Sequence, residues 1–280
     1  MQRVASTNAA PLRPGGIFYR RPQRAAIWHT VRMALPAKPY LRDIEIDPRA
    51  DVDWSAYPFN IPAVREMGRL AFHADVTFFV GENGAGKSTV LEAIAVAMGL
   101  PAEGGSRNVN RAQQAVSPLE SVLRRSTSYR KPRTAYFLRA ESLFNVFSYL
   151  EQIGPSPRGD APPPGHTRSH GEAFMDVLLD LGDNGFFLLD EPEAALSPNR
   201  QLAALSRIDQ LVKRGSQFVI ATHSPILLAY PNAKILVFDG DGMRETAYED
   251  TEHYAVTRDF LNHYERRLQQ LLGDEEDLRE

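Results

Sequence analysis

The residues Gly81-Glu82-Asn83-Gly84-Ala85-Gly86-Lys87-Ser88-Thr89 form a complete G-x-x-x-x-G-K-S run. The glycines let successive backbone N–H groups wrap a polyphosphate, and a helix starting here would point its positive end at it. Lys87 can reach the β- and γ-phosphates, and the Ser88 hydroxyl can ligate Mg²⁺. Further along, the apolar run Phe186-Phe187-Leu188-Leu189 ends in Asp190-Glu191-Pro192. Asp190 is placed to hold Mg²⁺, directly or through water, and Glu191 to orient or deprotonate an attacking water. A Gly-rich βα turn and a solvated acidic turn are the plain alternatives. Their joint occurrence in one chain, each behind an apolar strand, argues for phosphoryl chemistry instead.

Such groups need rigid supports, and the flanking sequence provides candidates. Val76–Val80 reads as a buried strand before the glycine loop, and Val90–Met98 as a helix after it, closed by Gly99. Further strands are expected at Thr134–Leu138, Gly185–Leu189, Gln217–Ala221 and Ala233–Phe238. Several are wholly apolar, as strands covered on both faces are. Tyr40–Ile46 alternates apolar and polar residues and suits an early antiparallel strand. Helices are expected over Ser142–Gln152, Gly171–Leu181 and residues 251–272. Another runs from Pro198, with Ser197 at its N-cap, to about Lys213 before Gly215. Asp47–Pro62 and residues 100–133 read as loop, and so does the stretch 153–168, with five prolines and three glycines. The expected fold is α/β: a sandwich around a mainly parallel central sheet, with an antiparallel N-terminal β portion.

Two more segments extend the pattern. Glu193-Ala194-Ala195-Leu196-Ser197-Pro198 directly follows the Asp-Glu-Pro, and Ala221-Thr222-His223-Ser224-Pro225 follows the next strand. Together the four segments resemble the nucleotide-binding ATPases of the ABC superfamily. They are similar in particular to its small stand-alone members with the DEPEAALSP and ATHSP patterns. The resemblance covers about residues 40–265. It implies a P-loop NTPase sandwich of ABC-ATPase type, ATP and Mg²⁺ as cofactors, and ATP hydrolysis, with Lys87 and Glu191 in catalytic roles. It implies that His223 contacts the γ-phosphate and the attacking water, although a structural histidine in a strand-end turn is the alternative. It also implies an ATP-dependent homodimer with nucleotide at its interface.

ABC-type ATPases carry a signature at a helix start before the Asp-Glu strand, where this chain has Arg168-Ser169-His170-Gly171-Glu172. Ser169 and Gly171 match, Glu172 replaces the usual glutamine, and Arg168 and His170 depart from the pattern. The resemblance assigns Ser169, His170, Gly171 and Glu172 to the γ-phosphate held by a partner protomer. Ser169 and Glu172 are also spaced as a capping box, and both roles can hold. The family's glutamine after the first strand beyond the phosphate-loop helix has no match. Glu141 is a further metal-side candidate, Arg139 a phosphate-facing one, and Gln113 and Gln114 weaker ones. Of the aromatic residues before the loop, Tyr57 and Phe59 are candidates for an adenine contact, with core packing the expected role of each.

The 280 residues, 43% hydrophobic and 24% charged with net charge −3, describe an ordinary globular chain rather than a polycation. With no cysteine, thiolate metal sites, disulfides and cysteine nucleophiles are excluded. No window approaches the ~20 apolar residues of a membrane helix, and a cytoplasmic protein is expected. Residues 1–32 are Arg-rich and acid-free. They are expected to be a disordered basic extension without a catalytic role, with a transit peptide, a nucleic-acid arm or a true start at Met33 as alternatives. Residues 33–280 then form a single ATPase domain with a loop and helical insertion at about 100–168. The short stretch from Lys87 to Ser169 contains no sustained heptad run, which excludes the long arms of chromosome-maintenance ATPases. Residues 107–139 hold eight basic residues and one acid, so nucleic acid is a candidate partner, beside an effector protein. A transporter subunit is a third reading, weakened by the altered signature.

Overall fold

A computed structural model describes residues 37–106, 117–140 and 170–273. The described strands are β1 (Leu41–Ile46), β2 (Leu70–Ala71), β3 (Val76–Gly81), β4 (Gly105–Ser106), β5 (Leu123–Thr127), β6 (Thr134–Arg139), β7 (Gly185–Asp190), β8 (Gln217–Ala221), β9 (Lys234–Asp239) and β10 (Gly242–Thr246). The described helices are α1 (Pro62–Arg65), α2 (Lys87–Ala97), α3 (Leu119–Val122), α4 (His170–Asp180), α5 (Pro198–Lys213), α6 (Pro225–Leu228), α7 (Glu252–Asn262) and α8 (Tyr264–Leu272).

The main sheet has the order β10-β9-β3-β8-β7-β6-β4. Its five inner strands are parallel, and β10 and β4 close its edges antiparallel. Every residue of β3, β7 and β8 is buried, as expected where both sheet faces are covered. Alternate side chains serve the two faces. Phe78, Phe187, Leu189, Phe218 and Ile220 pack with Phe174 and Leu178 of α4 and with Ile208 and Leu211 of α5. Phe79, Phe186, Leu188, Val219 and Ala221 pack with Val90, Leu91 and Ile94 of α2 and with Leu41 and Ile44 of β1. A second, antiparallel sheet of order β2-β1-β5 covers this side. Buried Gln217 joins the two sheets: its Oε1 accepts from Leu41 N at 3.0 Å, and its Nε2 donates to Leu41 O and His73 O, each at 2.9 Å. The expected α/β sandwich with a mainly parallel sheet and an antiparallel β portion is the observed fold.

Several local expectations need correction. Residues 100–133 contain β4, α3 and β5 rather than loop alone. β5 supplies the second neighbour of β1, over Leu41–Ile46 against Leu123–Thr127. Beyond the last expected strand the chain turns at Gly240-Asp241 into a further strand, β10, paired back on β9. Residues 251–272 are helical as expected, in the two helices α7 and α8. Ser197 precedes α5 as expected, but its side chain makes no cap hydrogen bond. The expected extension 1–32, the helix Ser142–Gln152 and the loop 153–168 lie outside the described residues.

Candidate active site

Three neighbouring strands deliver the site. β3, β8 and β7 run parallel, so the segments leaving their carboxyl ends emerge along one edge. After β3 comes the glycine loop, after β7 Glu191, and after β8 Thr222 and His223.

The loop's glycines are required sterically. Gly81 has φ +145 and its α-carbon faces the carbonyl of Phe238 so closely that a Cβ would overlap it. Gly86 is left-handed, with φ 96, and a Cβ there would meet Ile61 Cγ2 at 2.8 Å. Because Gly86 takes this conformation as the N-cap, α2 begins at Lys87, before the apolar run starting at Val90 that marked it in the sequence. Lys87 is buried, with 4% exposure. Its Nζ donates to Gly81 O at 2.7 Å and to Glu82 O at 2.9 Å. Burial lowers the pKa of the amine below its ordinary value, against the opposing pull of Glu191, Asp190 and Glu193.

Ser88 Oγ donates to Asp190 Oδ1 at 3.0 Å. On the other side of this carboxylate, Arg139 Nε lies 3.1 Å from Asp190 Oδ2, while Arg139 Nη1 reaches Glu92 Oε2 at 3.6 Å. Arg139, a phosphate-facing candidate by sequence, is thus engaged by carboxylates. Glu141, Gln113 and Gln114 lie outside the described residues.

Glu191 has a left-handed backbone, φ 49 and ψ 52, which costs a non-glycine residue roughly 1–2 kcal/mol. Its N–H donates to Ala221 O at 2.9 Å, tying the end of β7 to that of β8. Its Oε1 lies 3.7 Å from His223 Nε2.

Two residues of this site were missed in the sequence. Glu193, in the 3-10 turn Pro192–Ala195, accepts from Thr222 Oγ1 at 2.7 Å and from His223 N at 2.5 Å. It thereby fixes the backbone that carries His223. His253, on α7, places Nε2 3.0 Å from His223 Nδ1. Glu193 lay within a segment already singled out, but nothing in the spacing of His253 distinguishes it. Burial lowers the pKa of both imidazoles, and Lys87 pushes the same way on each. A cleft of about 730 Å³ opens here, lined by Glu82, Asn83, Glu191, Glu193, His223 and His253 among others.

The remaining candidates are more scattered. Ser169 lies outside the described residues, and of His170 only the helical backbone is described. Gly171 packs so tightly that a Cβ would meet Ala195 O at 2.6 Å and overlap Arg200. Glu172 pairs with Arg200 Nη2 at 3.1 Å. Phe59 is in the core as expected, but Tyr57 is 64% exposed, with its hydroxyl 3.2 Å from Thr89 Oγ1. In the basic stretch, Arg124 lies 3.7 Å from Glu45, whereas Arg125, Arg130, Lys131 and Arg133 are exposed.

An AAA domain family model matches residues 60–136, the part holding the phosphate loop and the start of β6. A search of curated proteins gives no match. Among solved structures, the chain is similar to cbiO1 from Clostridium perfringens, part of the cbiONQ ABC transporter complex. The two are 14% identical with TM-score 0.45, over 84% of this chain and 100% of that one. It is also similar to an SMC head domain from Thermotoga maritima, 16% identical with TM-score 0.37, over 74% of this chain and 98% of that one. A third is a metal-chelate-type ABC transporter in an inward-facing conformation, 17% identical with TM-score 0.36, over 67% and 78% of the two chains.

Proposed function

We propose that this chain binds Mg·ATP along the edge formed by β3, β8 and β7, hydrolyses it slowly, and uses bound ATP to close a head-to-tail homodimer. One observation carries the reading: Ser88 Oγ on Asp190 Oδ1 at 3.0 Å, across 102 residues of chain. It brings together two hard oxygen donors, the type Mg²⁺ prefers, beside a loop shaped for phosphates. Among the described residues no group of three or more His, Cys, Asp or Glu could hold a metal alone. Once bound, the ion would neutralise charge on the phosphate oxygens.

The chain's own residues supply the rest. The Lys87 amine, now held by two backbone carbonyls, can exchange them for phosphate oxygens. Glu191 borders the cleft, where its carboxylate can take the proton of a water aimed at the γ-phosphorus. Among the described residues His223 Nε2 is buried without a hydrogen-bond partner, so a γ-phosphate oxygen would satisfy it. Catalysis of this kind is mostly positioning and charge stabilisation. The partner protomer would contribute Ser169, His170, Gly171 and Glu172. The exposed Arg125, Arg130, Lys131 and Arg133 favour a second reading, in which the same ATP switch gates binding to nucleic acid. A salt-sensitive mobility shift lost in Arg130→Glu/Lys131→Glu would support it.

The test is Glu191→Gln, followed by phosphate release and light scattering. The variant should lose turnover and accumulate as an ATP-bound dimer. Turnover at the wild-type rate would overturn the mechanism, and a monomer in saturating ATP would overturn the dimer.

A further inference from the structure

The His223–His253 pair has a chemical asymmetry that the motif at His223 does not contain. A ring-nitrogen contact of 3.0 Å requires one N–H between the two nitrogens, donated by one ring to the other. The outer nitrogens, His223 Nε2 and His253 Nδ1, are both buried and have no hydrogen-bond partner among the described residues. Each arrangement of the shared proton therefore fixes what His223 presents to the cleft.

If His223 donated through Nδ1, its Nε2 would carry a bare lone pair facing Glu191 Oε1 at 3.7 Å, lone pair against carboxylate. Each arrangement leaves one outer nitrogen with an N–H and the other with a lone pair, so the count of unpaired groups does not decide between them. If His253 donates through Nε2, the repulsion between the lone pair and the Glu191 carboxylate disappears. His223 then carries its hydrogen on Nε2, aimed at the Glu191 carboxylate, and His253 is left only with an unpaired acceptor. The charged groups around the pair are Lys87 and Glu191 near His223, and Glu252, Glu193 and Lys87 near His253. Burial and Lys87 lower the pKa of both rings and so favour their neutral forms, against the opposing pull of Glu191 on His223 and of Glu252 and Glu193 on His253.

We propose that His253 is a positioning residue that holds His223 in its Nε2–H form, ready to donate to a γ-phosphate oxygen. α7 places it there: Thr251 caps the helix by accepting from Tyr254 N, and Tyr248 Oη binds Pro225 O at 2.8 Å, which docks the segment before α7 against the start of α6, just beyond His223. The inference rests on the nucleotide reading above, because the hydrogen needs a phosphate to receive it.

The test separates the two. Ring-nitrogen NMR shifts of histidine-labelled, nucleotide-free protein report the tautomer directly. Wild type should show His223 protonated on Nε2 and bare on Nδ1, and His253→Phe should show a mixture. In ATPase assays His253→Phe should lower kcat about tenfold to a hundredfold, in line with the loss of an aligned donor, while KM for ATP stays within a factor of two. His253→Gln, whose amide can still donate, should recover most of the rate. An Nδ1–H His223 in wild type would overturn the proposal, as would an unchanged kcat in a folded His253→Phe. If wild type shows no ATPase activity, the nucleotide reading fails, and the tautomer result alone still decides the arrangement of the pair.

Discussion

Arg139 Nε lies 3.1 Å from Asp190 Oδ2, on the oxygen that Ser88 does not use. The carboxylate proposed to bind Mg²⁺ is therefore already neutralised by a protein cation, which Glu92 shares. Removing that cation takes away part of the compensation of Asp190, which is only 3% exposed. We expect Arg139→Met to cost about 3 kcal/mol in urea denaturation without ligand, the low end for removing one partner of a buried ion pair. Mg·ATP would supply a replacement charge, so the rise in Tm on adding it should be larger in the variant. An equal rise in both proteins would show that Arg139 does not compete for this carboxylate.

Glu193 holds the backbone of His223 and the hydroxyl of Thr222 together. Glu193→Ala leaves two donors without their acceptor but takes no group away from the phosphates. We expect kcat to fall at least tenfold, a cost of about 1.4 kcal/mol in the barrier, with ATP affinity nearly unchanged in a fluorescent-nucleotide titration. A matching loss of affinity would place Glu193 in direct nucleotide binding instead.

Burial holds the imidazoles of His223 and His253 below their ordinary pKa of 6.5. Below that pH the unfolded chain binds protons that the folded state resists, so stability rises with pH up to about 6.5 and is lost on acidification. Wild type should therefore lose stability between about pH 7 and pH 5 more steeply than the double variant His223→Gln/His253→Gln. Parallel urea-denaturation profiles would mean that the pair titrates normally in the folded protein.

The inner strands were readable because burial on both faces writes a continuous apolar run: Gly185–Leu189 and Gln217–Ala221 emerge almost to the residue. β5, Leu-Arg-Arg-Ser-Thr, lies at the edge of its sheet and buries none of its residues fully, so it has no such signature. The carboxylate partners of Arg139 were hidden for a different reason. Its partner is set by register, because β6 aligns with β7 and places Arg139 opposite Asp190. No spacing along the chain reveals a lateral pairing. His253 is the same kind of case: a lone histidine on a half-polar helix gains meaning only when that helix is docked beside the end of β8. The glycine loop, by contrast, is wholly local, and its sequence carried its geometry.

The sheet order has a consequence for how the chain is made. β3, whose six residues are all buried, pairs only with β8 and β9, and both are translated long after it. At typical rates its partners follow on the order of ten seconds later. During that interval a segment that is apolar but for Thr77 and Gly81, and the phosphate loop behind it, have neither of these strands to pair with. Faster completion of the chain would shorten that exposure, and chaperone cover would shield it from pairing with a neighbour.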